Sequence, residues 1–205
     1  MSIVATQRLR KRLQNLDIEQ DVSDRQVYLE CRARYIKAGE GVRHYVYDDI
    51  SGKSGAEGSG QRTVGVGFNM SRPTARQEWD KIFEKTIDFE AVWCGKRALS
   101  SVEVDALLTG CLQQREQELR QCYGQDWQRF PANQRLALED LWFCTPKLAN
   151  QNSRVWQYLK AYGQTYDQIM LMRAVAEVRH RSNPTGHPGI QSRRESQATL
   201  LALED

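Results

Sequence analysis

Apolar residues recur at Val27, Tyr28, Cys31, Tyr35 and Ile36, close to one face of a helix, through the segment from Asp24 to Ala38. Ser23 and Gln26 stand in a capping-box arrangement at its start, and Gly39 and Gly41 predict its end. The period then changes. Tyr45 and Tyr47 alternate with His44, Val46 and Asp48, and a second run from Thr63 to Phe68 repeats the texture with glycine spacers. Two short strands joined through the glycine-rich stretch Ser51 to Gly60 predict a hairpin with a long tip. With a turn centred near Ala56, Asp49 and Thr63 would face each other across it.

Beyond the hairpin the pattern is helical. Thr74 with Gln77, Ser100 with Glu103, and Thr165 with Gln168 read as capping boxes opening helices near 75–85, 101–122 and 166–181. Further helices are predicted near 132–143, 153–162 and 189–203. The fold class is therefore α+β and mostly helical, with the strands segregated into a small hairpin-bearing lobe beside a larger helical lobe, and a cleft expected between them.

Glu40 falls at the end of the first of these helices. The partial negative charge of the last carbonyls there disfavours a second anion and favours the proton-donating form of a carboxyl. A carboxyl donor, a second carboxylate at Asp49 and the Thr63 hydroxyl are the parts a glycosidase needs: an acid for the leaving oxygen, and a base with a positioned water, or a nucleophile, on the other face of the sugar. Asp48 is the neighbouring candidate, but alternation sends the two side chains to opposite faces, and Asp49 is preferred.

With Glu40, an eight-residue interval to Asp49, and Thr63 opening the run Thr-Val-Gly-Val-Gly, the chain resembles the T-even phage lysozymes of glycoside hydrolase family 24. Further similarity lies in the capped segment Leu99 to Leu108, in Pro131 to Phe143, and in Gly189 to Gln197, where Gln197 replaces the family's final Glu. Together these span roughly residues 26 to 203. One departure is the interval of thirteen residues between Asp49 and Thr63, longer than the family's.

The resemblance implies a lysozyme-like domain over 23–205 preceded by a basic N-terminal extension, 1–22. It implies a muramidase that cleaves the β-1,4 bond between N-acetylmuramic acid and N-acetylglucosamine by inversion. Glu40 would be the general acid, Asp49 the residue that orients or activates water, and Thr63 its hydroxyl partner. Gly67, Phe68 and Asn69 fall where the family lines its saccharide cleft. Arg193 and Arg194 are candidates to hold a carboxylate at the cleft floor, with a solvated helix face as the alternative. The partner is bacterial peptidoglycan, acted on in the periplasm by a monomer. A holin-type release partner belongs to the endolysin reading and an immunity protein to the effector reading. The alternative keeps the fold without the chemistry: a catalytically inactive glycan-binding, virion or effector component.

Composition narrows this little further. The chain has 205 residues, 29 Lys and Arg against 26 Asp and Glu, and a net charge of +3. Arg8, Arg10, Lys11 and Arg12 concentrate charge near the N-terminus, and a second concentration lies at 173–194. Such a surface suits an anionic bacterial envelope; a nucleic-acid-binding helical module is the weaker reading, because no binding motif accompanies the arginines and the acids of the hairpin would repel phosphate. No run is long and apolar enough for a membrane span, and no secretory signal pattern opens the chain, so synthesis in the bacterial cytoplasm with separate release is expected, without stable membrane insertion. Cys31, Cys94, Cys111, Cys122 and Cys144 are odd in number and lack metal spacing, as do His44, His180 and His187; reduced core thiols and no metal or cofactor are expected. Trp79, Trp93, Trp127, Trp142 and Trp156 are read mostly as core.

Overall fold

A computed structural model of the chain describes residues 3–54, 59–146, 151–180 and 188–202. It is mostly helical, with one small antiparallel sheet of three strands. Helices α1 (Ile3–Leu13) and α2 (Val22–Glu40) precede strands β1 (Arg43–Asp48), β2 (Arg62–Gly65) and β3 (Phe68–Asn69). Then follow α3 (Ala75–Phe83), α4 (Phe89–Trp93), α5 (Ser101–Tyr123), a 3-10 segment (Gly124–Arg129), α6 (Ala132–Cys144), α7 (Arg154–Thr165), α8 (Gln168–His180) and α9 (Pro188–Leu201). The chain divides into two compact units: residues 1–35 with 115–205, and residues 36–114.

Helices α2, α3 and α5–α9 lie close to the expected ranges, α1 and α4 are additional, and several helices are capped by other residues than expected. Asp21 caps α2, its Oδ1 accepting from the Ser23 and Asp24 amides at 2.7 and 3.1 Å, so Ser23 is already inside the helix. Gly39 is helical, and the turn is made at Gly41 with φ 77°. Thr74 caps no amide; its hydroxyl donates to Glu78 instead. Asp167, rather than Thr165, serves α8 by accepting from the Ile169 amide at 2.8 Å. Ser100 and Glu103 do form the reciprocal box at the start of α5. At α2 and α8 the reason is stereochemical: a carboxylate just before the first turn reaches free amides there, and competes well with a hydroxyl placed a residue or two away.

The unit 1–35 with 115–205 is built on α6, buried along most of its length although five of its 13 residues are polar or charged. Each charge on it is answered. Arg135 donates to the carbonyls of Phe130 and Gln128 at 2.7 and 2.8 Å. Glu139 accepts from Arg32 of α2, and Asp140 from Arg193 of α9 at 2.5 Å and from Gln197 at 2.6 Å. Arg32 is only 2 % exposed and its Nη1 lies 2.9 Å from both Glu116 and Glu139. A buried ion network of this kind specifies one arrangement of α2, α5 and α6, because any register that separates the partners strands a charge in low dielectric. Helix α1 packs on α6 and α9, with Thr6 and Leu13 buried; residues 3–13 are thus a packed helix.

The unit 36–114 is organised around Trp79. Its ring meets Phe68, Phe83 and Phe89 at centroid distances of 5.9, 4.7 and 5.5 Å, and its indole N–H donates to the Ile87 carbonyl at 2.8 Å. Val46 and Val64 lie on the buried side of the sheet. Trp79, Trp127 and Trp142 are buried, whereas Trp93 and Trp156 are half-buried. All five cysteines are free; Cys94 is exposed rather than in the core. Among the described residues no helix is long and apolar enough to cross a membrane.

Candidate functional site

The run from Thr63 to Phe68 is not one strand. Gly65 and Gly67 take φ of 67° and 69°, so the chain turns at Val66 and returns as β3. At Gly65 an added Cβ would lie 3.4 Å from Leu107 of α5, so the glycine also admits close packing of the turn. β2 is consequently the central strand, and Thr63 pairs with Tyr47 on one side and Asn69 on the other.

This register differs from the expected one. Thr63 faces Tyr47, and Asp49 faces Gln61, whose carbonyl receives the Asp49 amide at 3.0 Å and whose amide donates to Asp49 Oδ1 at 2.6 Å. The pairing is displaced by two residues from the expected one, and Asp49 lies one residue past the end of β1, in the turn, where strand alternation no longer sets the direction of its side chain. Tyr47, Thr63 and Asn69 form a cross-strand row. Ala56, the expected centre of the turn, lies outside the described residues.

The two neighbouring aspartates have separate tasks. Asp48 is buried and holds the loop: its Oδ1 accepts from Ile50 and Ser51 at 3.1 and 2.7 Å, and its Oδ2 from Gly60 at 2.5 Å. The Ser51 amide, followed by those of Gly60 and Ile50, holds this carboxyl below the usual range despite its burial. Asp49 is exposed. Gly60 permits both positions, since a Cβ there would lie 2.8 Å from each Asp48 oxygen and closer still to Asp49 Oδ1. The lengthened loop folds back on β1: Gly52 turns it with φ 68°, the Asp48 amide donates to the Lys53 carbonyl at 3.0 Å, and Ser54 bridges Tyr47.

Glu40 closes α2 as its last residue, with Gly41 turning the chain toward β1. Its charge reaches the Tyr47 phenol, as does that of Asp49. Burial first, then Glu40 and Asp49, push that phenol above its ordinary range against the opposing effect of Arg43. Tyr47 was legible only as a strand position; that it lies opposite Thr63, within the fields of both carboxylates, required the register.

The remaining candidates are placed as follows. Thr63 is buried, and its hydroxyl donates to the Gln61 carbonyl at 3.4 Å. Phe68 is buried against Trp79, with Arg72 5.1 Å from its ring centroid; Asn69 accepts from the Ser71 amide at 2.8 Å. Arg193 clamps Asp140, while Arg194 donates to Gln197 Oε1 at 2.6 Å and to Thr145. Gln197, standing where the resembled family has Glu, therefore bridges Arg194 and Asp140. Among the described residues no group of three or more His, Cys, Asp or Glu side chains is placed to hold a metal ion; His187 lies outside them.

No family model matches the chain, and a search of curated proteins finds no match.

Proposed function

We propose that the chain is a peptidoglycan hydrolase of the phage-lysozyme type, with a lysozyme-like fold. It cleaves the β-1,4 bond between N-acetylmuramic acid and N-acetylglucosamine. The observation that carries this reading is that the three groups gather at the small sheet: Glu40 ends the helix leading into β1, Asp49 follows β1 directly and is bonded to Gln61, and Thr63 pairs with Tyr47 of β1. Glu40 protonates the leaving oxygen, Asp49 orients and deprotonates the attacking water, and Thr63 supplies a hydroxyl beside it. No metal or cofactor enters this chemistry. Arg193 and Arg194 act at a distance in chain from these groups by fixing α9 on α6. An endolysin made in the cytoplasm and released to the periplasm is the biological setting we favour, with a holin-type release partner; an immunity partner belongs to an antagonistic effector.

Digestion of purified peptidoglycan by wild type and Glu40→Gln, with mass and reducing-end analysis, tests the reading. Loss of one general acid is expected to lower turnover by about 10²–10⁴-fold, and reducing N-acetylmuramic ends are expected from wild type alone. Anhydro ends would replace hydrolysis by transglycosylation, and comparable turnover by the variant would remove Glu40 from the acid role. A second reading, glycan binding without cleavage, draws on the burial of Thr63 and its bond to the Gln61 carbonyl, which commit the hydroxyl's proton to the protein. It requires that the folded wild type bind peptidoglycan and release no products.

A further inference from the structure

Strand β1 carries, ahead of Asp49, side chains that the proposed acid, base and hydroxyl do not use. Arg43 and Tyr45 are exposed and Tyr47 half-buried, while Val46 and Asp48 between and beyond them are buried. The alternation therefore turns Arg43, Tyr45 and Tyr47 to the open side despite the register shift between Arg43 and Tyr47. The Arg43 guanidinium lies 5.6 Å from the Tyr47 ring centroid, which places the first and last of the three on the same side. Tyr45 is 57 % exposed, unusual for an aromatic ring beside a row of polar groups. Among the described residues Arg43 forms no ion pair and the Tyr47 hydroxyl makes no hydrogen bond.

We propose that Arg43, Tyr45 and Tyr47 form a recognition strip for a polysaccharide that carries carboxylates. The Tyr45 ring stacks on a sugar face, the Tyr47 hydroxyl donates to a sugar oxygen next to Asp49, and Arg43 pairs with a carboxylate on the glycan's side group. A row of alternating strand positions spaced about 6.5–7 Å apart suits consecutive groups along an extended glycan. The phenol suits the donor role because burial and the nearby carboxylates keep it protonated. Arg43 adds what a neutral chitin-type polymer would not require. The inference deepens the peptidoglycan reading and rests on it for the identity of the substrate.

Sedimentation with purified peptidoglycan and with chitin, using full-length protein, separates the parts. Tyr45→Ala is expected to weaken binding to both polymers by about tenfold, with Tyr45→Trp restoring it. Arg43→Gln is expected to weaken binding to peptidoglycan by about fivefold, an exposed-pair effect lost at high salt, and to leave chitin binding unchanged. Tyr47→Phe is expected to cost about fivefold on peptidoglycan with an unchanged melting midpoint, since the hydroxyl it loses bonds nothing in the protein. Equal loss on both polymers for Arg43→Gln would overturn carboxylate recognition, and wild-type affinity in Tyr45→Ala and Tyr47→Phe would overturn the strip. The two proposals fail separately: variants that lose binding while wild type cleaves nothing remove the catalytic reading and keep the strip. Wild-type cleavage with fully binding variants does the reverse.

Discussion

Replacing Arg32 by Met is expected to destabilise the protein far more than the loss of one polar side chain would. Arg32 is buried, and its Nη1 lies 2.9 Å from both Glu116 and Glu139. Glu116 keeps Arg25 at 2.7 Å and Arg120 at 3.0 Å after the substitution, so most of its compensation survives. Glu139 is fully buried, and Arg32 is the cation bonded to it. Removing one member of a buried pair leaves an uncompensated charge and costs about 3–5 kcal/mol. With a urea slope of roughly 2–3 kcal/mol/M, the midpoint should fall by about 1–2 M at pH 7.5. Burial already pushes the Glu139 carboxyl upward, and losing Arg32 pushes it further, so the variant should recover stability as acid neutralises this group, by about 1.4 kcal/mol for each pH unit between its folded pKa and the unfolded value of about 4.3. Adding Glu139→Leu to Arg32→Met removes the stranded charge and should restore the midpoint to within about 1 kcal/mol of wild type. A single variant within 1 kcal/mol of wild type at pH 7.5, or a double variant no better than the single, would refute the reasoning.

Other expectations follow from the same geometry. For Glu116, burial raises the carboxyl, but the hydrogen bond and charge of Arg25, with Arg32 and Arg120, bring it from an ordinary 4.5 down to about 2. A depressed carboxyl contributes stability that is present above the unfolded pKa and disappears as pH falls toward 2. The shift corresponds to about 2–3 kcal/mol after solvent screening is discounted, and Glu116→Gln should flatten urea midpoints measured between pH 5.5 and 2.5. Gly60→Ala should displace Asp48 and Asp49 together, because the new Cβ meets carboxylate oxygens of both. We expect at least tenfold lower peptidoglycan hydrolysis with α-helical circular dichroism unchanged; full activity would place the working carboxylate elsewhere.

The sequence by itself determined the approximate positions of seven of the helices and the order of the candidate residues along the chain. Apolar spacing and capping residues act within a turn or two of helix, so they marked α2 and α5 without reference to any partner. The interval from Glu40 to Asp49 joins a helix end to a short strand, whereas the expected opposite facing of Asp48 and Asp49 gives way to two carboxylates that both border Gly60. Three things were decided only in the tertiary structure. One is the sheet register, displaced by two residues because Asp48 and Gly60 close the loop through bonds that span twelve positions. Another is the third strand, where Gly65 and Gly67 enter the left-handed region instead of extending β2. The third is the fate of the polar residues on α6, which local pattern assigns to a surface. Arg32, Arg193 and Gln197 come from distant segments to neutralise Glu139 and Asp140, and burial of those side chains is affordable only when such partners arrive. Local sequence fixes which conformations are open to each segment; charge pairing and strand register are properties of two segments at once, and they form only when the chain has folded.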